Sequence, residues 1–85
     1  MTFHLNPNYV YCVDLRDIKL THKDGRKLVL DYPQAAIFDM LLKQYSSDTR
    51  IRMMRHIGIL SEQHARQLIN DTIEMLVDTQ VLLSE

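Results

Sequence analysis

The stretch Asp31–Glu85, DYPQAAIFDMLLKQYSSDTRIRMMRHIGILSEQHARQLINDTIEMLVDTQVLLSE, decides the fold, because it reads as three short helices in series. The first opens at Asp31, whose carboxylate can accept from the free amides of a first turn. Gln34, three residues on, completes an Asp-flavoured capping box. Pro33 lies inside that turn, where a missing amide hydrogen does no harm. Ile37, Phe38, Leu41, Leu42 and Tyr45 then share one face. Ser46-Ser47-Asp48 ends this helix and can cap the next, about Thr49 to Ile57. That second helix turns Ile51, Met54 and Ile57 inward and Arg52, Arg55 and His56 outward. Gly58 suits the left-handed residue that terminates a helix. Ser61 caps the third helix, with Glu62 where the helix dipole favours negative charge, and the helix runs to about Thr79. Val81-Leu82-Leu83 follows as an extended tail or a last strand.

Upstream, the period changes from helical to two. Tyr9, Tyr11, Val13 and Leu15 alternate with Val10, Cys12 and Asp14, which signals a strand. Asp17–His22 and Lys27–Leu30 make two more. Between them, Lys23-Asp24-Gly25-Arg26 offers an Asp-Gly pair able to take the positive φ values of a type I′ turn, so these two strands pair as a hairpin. Residues 1–8 are polar and broken by Pro7, and read as a loose lead-in. The expected fold is therefore α+β and winged-helix-like, a three-stranded antiparallel sheet followed by three helices, in a single domain over residues 1–85. Modules of this order hold another polymer, nucleic acid or peptide, far more often than they catalyse.

Composition narrows the choice. A domain of 85 residues has a modest core, burying roughly 60–65% of the surface its unfolded chain exposes, with no room for a deep substrate cavity and a catalytic shell. A net charge of −1 gives no global attraction to phosphate backbones or acidic membranes. The single cysteine, Cys12, excludes an internal disulfide. The start lacks the basic and apolar regions of a signal peptide, and no apolar run is long enough to span a bilayer. The expectation is a soluble cytoplasmic protein with no membrane partner.

The third helix is apolar over too wide an arc for one core. Ala65, Ile69, Ile73 and Leu76 form one stripe, and Leu68, Thr72, Met75 and Thr79 a second beside it. With Val77 the arc spans roughly 200°, against the roughly 100° that a single packing face needs. Either the second stripe packs on the other helices or on Val81-Leu82-Leu83, or Leu68, Thr72 and Met75 wall a groove opposite the third strand. Methionine is polarisable and adaptable, which suits a surface that accepts a peptide. The outer face carries Gln67, Asn70, Asp71, Glu74 and Asp78, with Arg66 at its edge. Three acids there would repel the phosphates against which a winged-helix DNA reader lays its third helix.

From Leu30 onward the chain resembles the PqqD-like family, whose peptide-binding members are called RiPP recognition elements. The stretch Leu30-Asp31-Tyr32-Pro33-Gln34-Ala35-Ala36-Ile37-Phe38-Asp39-Met40-Leu41 is similar to the family's Leu-Asn-x-x-Ala-x-x-Ile-aromatic-x-x-Leu, with Asp31 in the Asn place. Ile57 through Leu83 resembles its last helix and closing apolar pair, and the hairpin before Asp31 also fits. Where the family often has Gly near the end of the first helix and before that pair, this chain reads Lys43-Gln44-Tyr45 and Thr79-Gln80. The resemblance implies that the leader segment of a precursor peptide adds as a strand to Lys27, Leu28, Val29 and Leu30. Its apolar side chains would drop toward Leu68, Thr72 and Met75. The chain would then be a cofactor-free adaptor for a separate modifying enzyme, often of the radical-SAM type in this family.

Other chemistry is weakly supported. His4, His22, His56, His64 and Cys12 lack the spacing of a zinc site, which needs ligands converging at about 2.0–2.3 Å. Cys12, mid-strand, reads as a small buried side chain, and Asp14 and Asp17 as turn residues. No glycine-rich phosphate loop exists, so an enzyme is not expected. The Arg50–His56 run reads as a solvated or protein-docking face. Two alternatives stand beside the adaptor: a DNA binder using Lys23, Arg26 and the second helix, and a structural subunit whose wide apolar helix face makes a homodimer.

Overall fold

Ile18 and Leu20 alternate with Asp17, Lys19 and Thr21, and this period of two decides which face of the strand meets the core. Both are buried in the computed structural model, which describes residues 2–58 and 60–84. Met1, at the head of the expected lead-in, and Ile59 and Glu85 lie outside the described residues. The elements run β1 (Phe3–Leu5), β2 (Tyr9–Asp14), β3 (Asp17–His22), β4 (Lys27–Leu30), α1 (Gln34–Leu42), α2 (Ser47–Gly58), α3 (Glu62–Asp78) and β5 (Leu82–Ser84). β2, β3 and β4 form an antiparallel sheet in that order, and β1 pairs with β5 in a separate ribbon. The fold is α+β, as expected.

Register assigns the faces. Tyr11 stands opposite Leu20 and Val13 opposite Ile18, while Leu28 and Leu30 stand opposite Leu20 and Ile18 from the other side. These side chains share the helix-side face; Tyr11 and Val13 stay exposed at its margin, while Ile18, Leu20 and Leu30 join Ile37, Phe38 and Leu41 of α1, Ile51 and Met54 of α2, and Ile69 and Leu76 of α3 in one core, with Leu28 packed against it. Val10, Cys12, Lys19 and Val29 occupy the outer face, which no element among the described residues covers, and all are exposed. Cys12 is therefore not the buried side chain expected of it.

Several local expectations need correction. The lead-in is structured: Phe3 is buried, and the Asn6 amide donates to the Val81 carbonyl at 2.9 Å while its Nδ2 donates to the Gln80 carbonyl at 2.8 Å. Its partner strand lies at the far end of the chain, where local pattern reading cannot see it. The hairpin forms, but not through a type I′ turn. Within the connection only Gly25 takes a positive φ, +95°, and its amide donates to the His22 carbonyl at 2.9 Å, so the loop is Lys23-Asp24-Gly25. α1 starts at Gln34, with Pro33 at its N-cap and no side-chain cap bond; Asp31 contributes its main-chain carbonyl, to Ala35 at 2.9 Å.

α1 also ends early, at Leu42. Gln44 takes φ +62° and the Tyr45 amide reaches back to the Met40 carbonyl at 3.2 Å, a left-handed C-terminal lock. The same lock closes α3: Gln80 takes φ +61° and the Val81 amide donates to the Leu76 carbonyl at 2.9 Å. The Ser46 hydroxyl accepts from the Thr49 amide at 3.2 Å, so α2 begins at Ser47; Ile51 and Met54 are buried as expected, but Ile57, expected to face inward, is exposed in the helix's last turn. Gly58 is the last residue of α2 and has no left-handed turn; a Cβ there would meet Leu60 Cγ at 3.0 Å, and this close approach is what glycine permits. Ser61 caps α3 as expected, accepting from the His64 amide at 3.2 Å.

Candidate functional site

Each strand residue directs its main-chain N–H and C=O to the same side, and the side alternates along the strand. The His22 amide donates to the Arg26 carbonyl at 2.8 Å, so Arg26 faces β3, as do Leu28 and Leu30 in the same register. Lys27 and Val29 must therefore face away from β3. β4 is an edge of its sheet, and among the described residues no strand pairs with that outward side. The result is a short rim of unpaired donors and acceptors, available to an added strand.

Beside this rim the structure opens a cleft of about 410 Å³ between the start of β4 and the end of α3. Arg26, Lys27 and Leu28 line one side, Asp78, Thr79 and Gln80 the other, and Tyr9 the space between. Tyr9 fixes the width: its hydroxyl donates to the Thr79 carbonyl at 3.2 Å and its ring meets His22 edge-on at 4.8 Å. Charge is split across the cleft, with two cations on the β4 side and a carboxylate on the α3 side. Asp24, in the hairpin loop, accepts from the Arg26 amide at 2.9 Å and from its Nε at 2.7 Å. The Arg26 amide bond, foremost, holds the Asp24 carboxyl below the ordinary carboxylate range.

The residues singled out from the sequence fall into three groups. Lys27 and Leu28 line the cleft. Val29 offers its main chain to the rim, but its side chain, 50% exposed, lies on the outer face of the sheet. Leu30 and Thr72 are 0% and 1% exposed, and the Thr72 hydroxyl donates to the Leu68 carbonyl at 2.8 Å. Those two side chains are core, and Leu68 and Met75 are half-buried against it. The second stripe of α3 is thus largely internal, and Thr79, its last member, is the one that reaches the cleft. Sequence reading missed Tyr9, Arg26, Asp78 and Gln80. Continuing the stripe to Thr79 pointed to this end of α3, whereas nothing local placed Tyr9 across from it.

Among the described residues no cluster of three His, Cys, Asp or Glu could hold a metal ion, and no helix is long and apolar enough to cross a membrane.

No protein-family model matches the sequence, and no curated protein matches it either. Two solved structures do match the fold. "Lasso peptide synthetase B1 complexed with the leader peptide" superposes with a TM-score of 0.89 at 18% identity, covering 99% of this chain and 100% of that one. "TbiB1 in Complex with the TbiA(beta) Leader Peptide" superposes with a TM-score of 0.84 at 14% identity, covering 100% and 98%. At these identities the likeness establishes a shared fold over the whole domain.

Proposed function

We propose that this chain is a non-catalytic adaptor that binds the leader segment of a precursor peptide along the outward side of β4 and presents it to a separate modifying enzyme. The observation that carries the reading is the open rim at Lys27 and Val29 beside the cleft walled by the end of α3. Main-chain bonds to the rim supply affinity and the cleft supplies selectivity, the logic of strand addition. The two solved structures of the same fold were both determined with a leader peptide, which supports the choice of ligand. The exposed acids Asp71, Glu74 and Asp78 on α3 weigh against a nucleic acid in that place.

In this reading Lys27 and Val29 act through their main chain, Leu28 through its side chain, and Leu30, Leu68, Thr72 and Met75 hold the cleft walls in position. The adaptor works in the cytoplasm. Its enzyme belongs to the radical-SAM class by the sequence resemblance, or to lasso-peptide synthesis by the name of one solved relative. Titration of isotope-labelled protein with leader peptides, beginning with that of TbiA(beta), tests the proposal. Amide shifts should concentrate on β4 and the C-terminal half of α3, and shifts confined to other elements would contradict it.

A further inference from the structure

α2 presents a second surface that the leader site does not use. Arg52, Arg55 and His56 stand at i, i+3 and i+4, so they form one exposed stripe, and the half-buried Met53 with the exposed Ile57 forms an apolar one beside it. Arg52, Met53, His56 and Ile57 line a depression of about 310 Å³, and Ile57 is 36% exposed. A second depression of about 510 Å³ adjoins it, between Arg52, Arg55, His56, Leu60 and Ser61. On their other side Arg52 and Arg55 line a third depression, of about 240 Å³, with Asp48 and Glu62, so the surface is apolar patches bordered by cations with carboxylates beyond them.

The cations here are not consumed internally. Lys19, Arg26, Lys43 and Arg66 hold Asp14, Asp24, Asp39 and Glu62. Arg16 lies over the Tyr32 ring at 4.2 Å, and Arg50 donates to the Tyr45 carbonyl at 2.9 Å. Among the described residues the side chains of Arg52 and Arg55 make no such contact, nor do those of Lys23 and Lys27 in and beside the hairpin loop. Arg55 and His56 do lie in the last turn of α2, where the helix dipole favours positive charge, but Arg52 lies before it. The dipole does not account for Arg52, nor for the apolar stripe beside it.

From this arrangement we propose that the α2 face docks an acidic, amphipathic segment of a partner protein, carboxylates meeting Arg52 and Arg55 while an apolar side chain enters the depression at Met53 and Ile57. The occupant follows from charge complementarity with unpaired guanidiniums, whose fork matches a carboxylate. Nucleic acid fits less well, since phosphates have no use for the apolar half of the face. Identifying that partner as the modifying enzyme rests on the adaptor reading; the docking chemistry does not. None of the residues lining the β4 cleft lies on α2, so both surfaces can be occupied at once.

The test uses the full chain, isotope-labelled, and three probes: a synthetic peptide of about four helical turns made of Glu, Leu and Ala, a Glu-Gly-Ser peptide of equal charge, and a short DNA duplex. The Glu-Leu-Ala peptide should shift the amides of Arg52, Met53, Arg55, His56 and Ile57. Arg52→Glu with Arg55→Glu should weaken it by roughly tenfold or more, and Ile57→Ser by several-fold. Equal binding of the Glu-Gly-Ser peptide, preference for the duplex, or shifts away from α2 would overturn the proposal. So would self-association lost in the Arg52→Glu/Arg55→Glu protein, which would make the face a contact between copies. The charge-reversed protein should bind a leader peptide at β4 unchanged, which separates failure here from failure of the adaptor reading.

Discussion

Gln44 and Gln80 sit at φ +62° and +61°, where a side chain with a Cβ costs roughly 1–2 kcal/mol relative to glycine. The two are not equivalent. Gln44 Nε2 donates to the Phe3 carbonyl at 2.8 Å and offsets its strain, whereas among the described residues the Gln80 side chain makes no such bond. Gln80→Gly should therefore raise stability by about 1 kcal/mol in urea denaturation, and Gln44→Gly should change it little. Asp24 gives a pH prediction. Its folded pKa lies below the unfolded value, so the stability it adds is complete above the unfolded pKa of about 3.9 and is lost as pH falls through the lower folded value. Asp24→Asn should lower the melting temperature at neutral pH, and the gap to the parent should close in melts carried out below that folded value. Residue-level chemistry was unevenly legible. The Ser61 cap was plain, because a short hydroxyl before a helical period has one favoured use. Left-handed glutamines were not, because nothing in a glutamine announces a positive φ.

At the scale of elements, the free side of β4 and the structured lead-in carry different consequences. Val29→Pro removes an outward N–H that the fold itself does not use, on an edge strand where proline is tolerated. It should weaken leader-peptide binding by roughly tenfold while amide dispersion stays native, and Val29→Ala should bind as the parent does, since that side chain lies on the opposite face. A Val29→Pro protein that binds normally would remove main-chain pairing from the account. β1 is structural: Phe3→Ala should cost about 3–4 kcal/mol by urea denaturation, through a cavity between β1, α1 and β5. The three strands and three helices were legible because each carries its own period. β1 and its pairing with β5 were not, since that contact depends on two short segments at opposite ends of the chain. The cleft was half legible: the Lys27–Leu30 edge follows from the hairpin, but its opposite wall lies lower on α3, at Thr79 instead of Thr72.

For the whole molecule, the work is divided in the proposed reading between one sheet edge and one helix face. In that reading the outward side of β4 and the end of α3 take an extended segment, and α2 keeps a mixed basic and apolar surface apart from it. The core joins them, as Leu20, Phe38, Met54 and Leu76 are all fully buried in one cluster. The proposed adaptor would need this division, because a peptide and an enzyme must then be held together. Amide hydrogen exchange with and without a bound leader peptide measures the proposed strand addition at β4 most directly. Binding should slow exchange at the Lys27 and Val29 amides, which face outward, and leave Leu28 and Leu30, already bonded to β3, little changed. Unchanged exchange at Lys27 and Val29 in a saturated complex would contradict it.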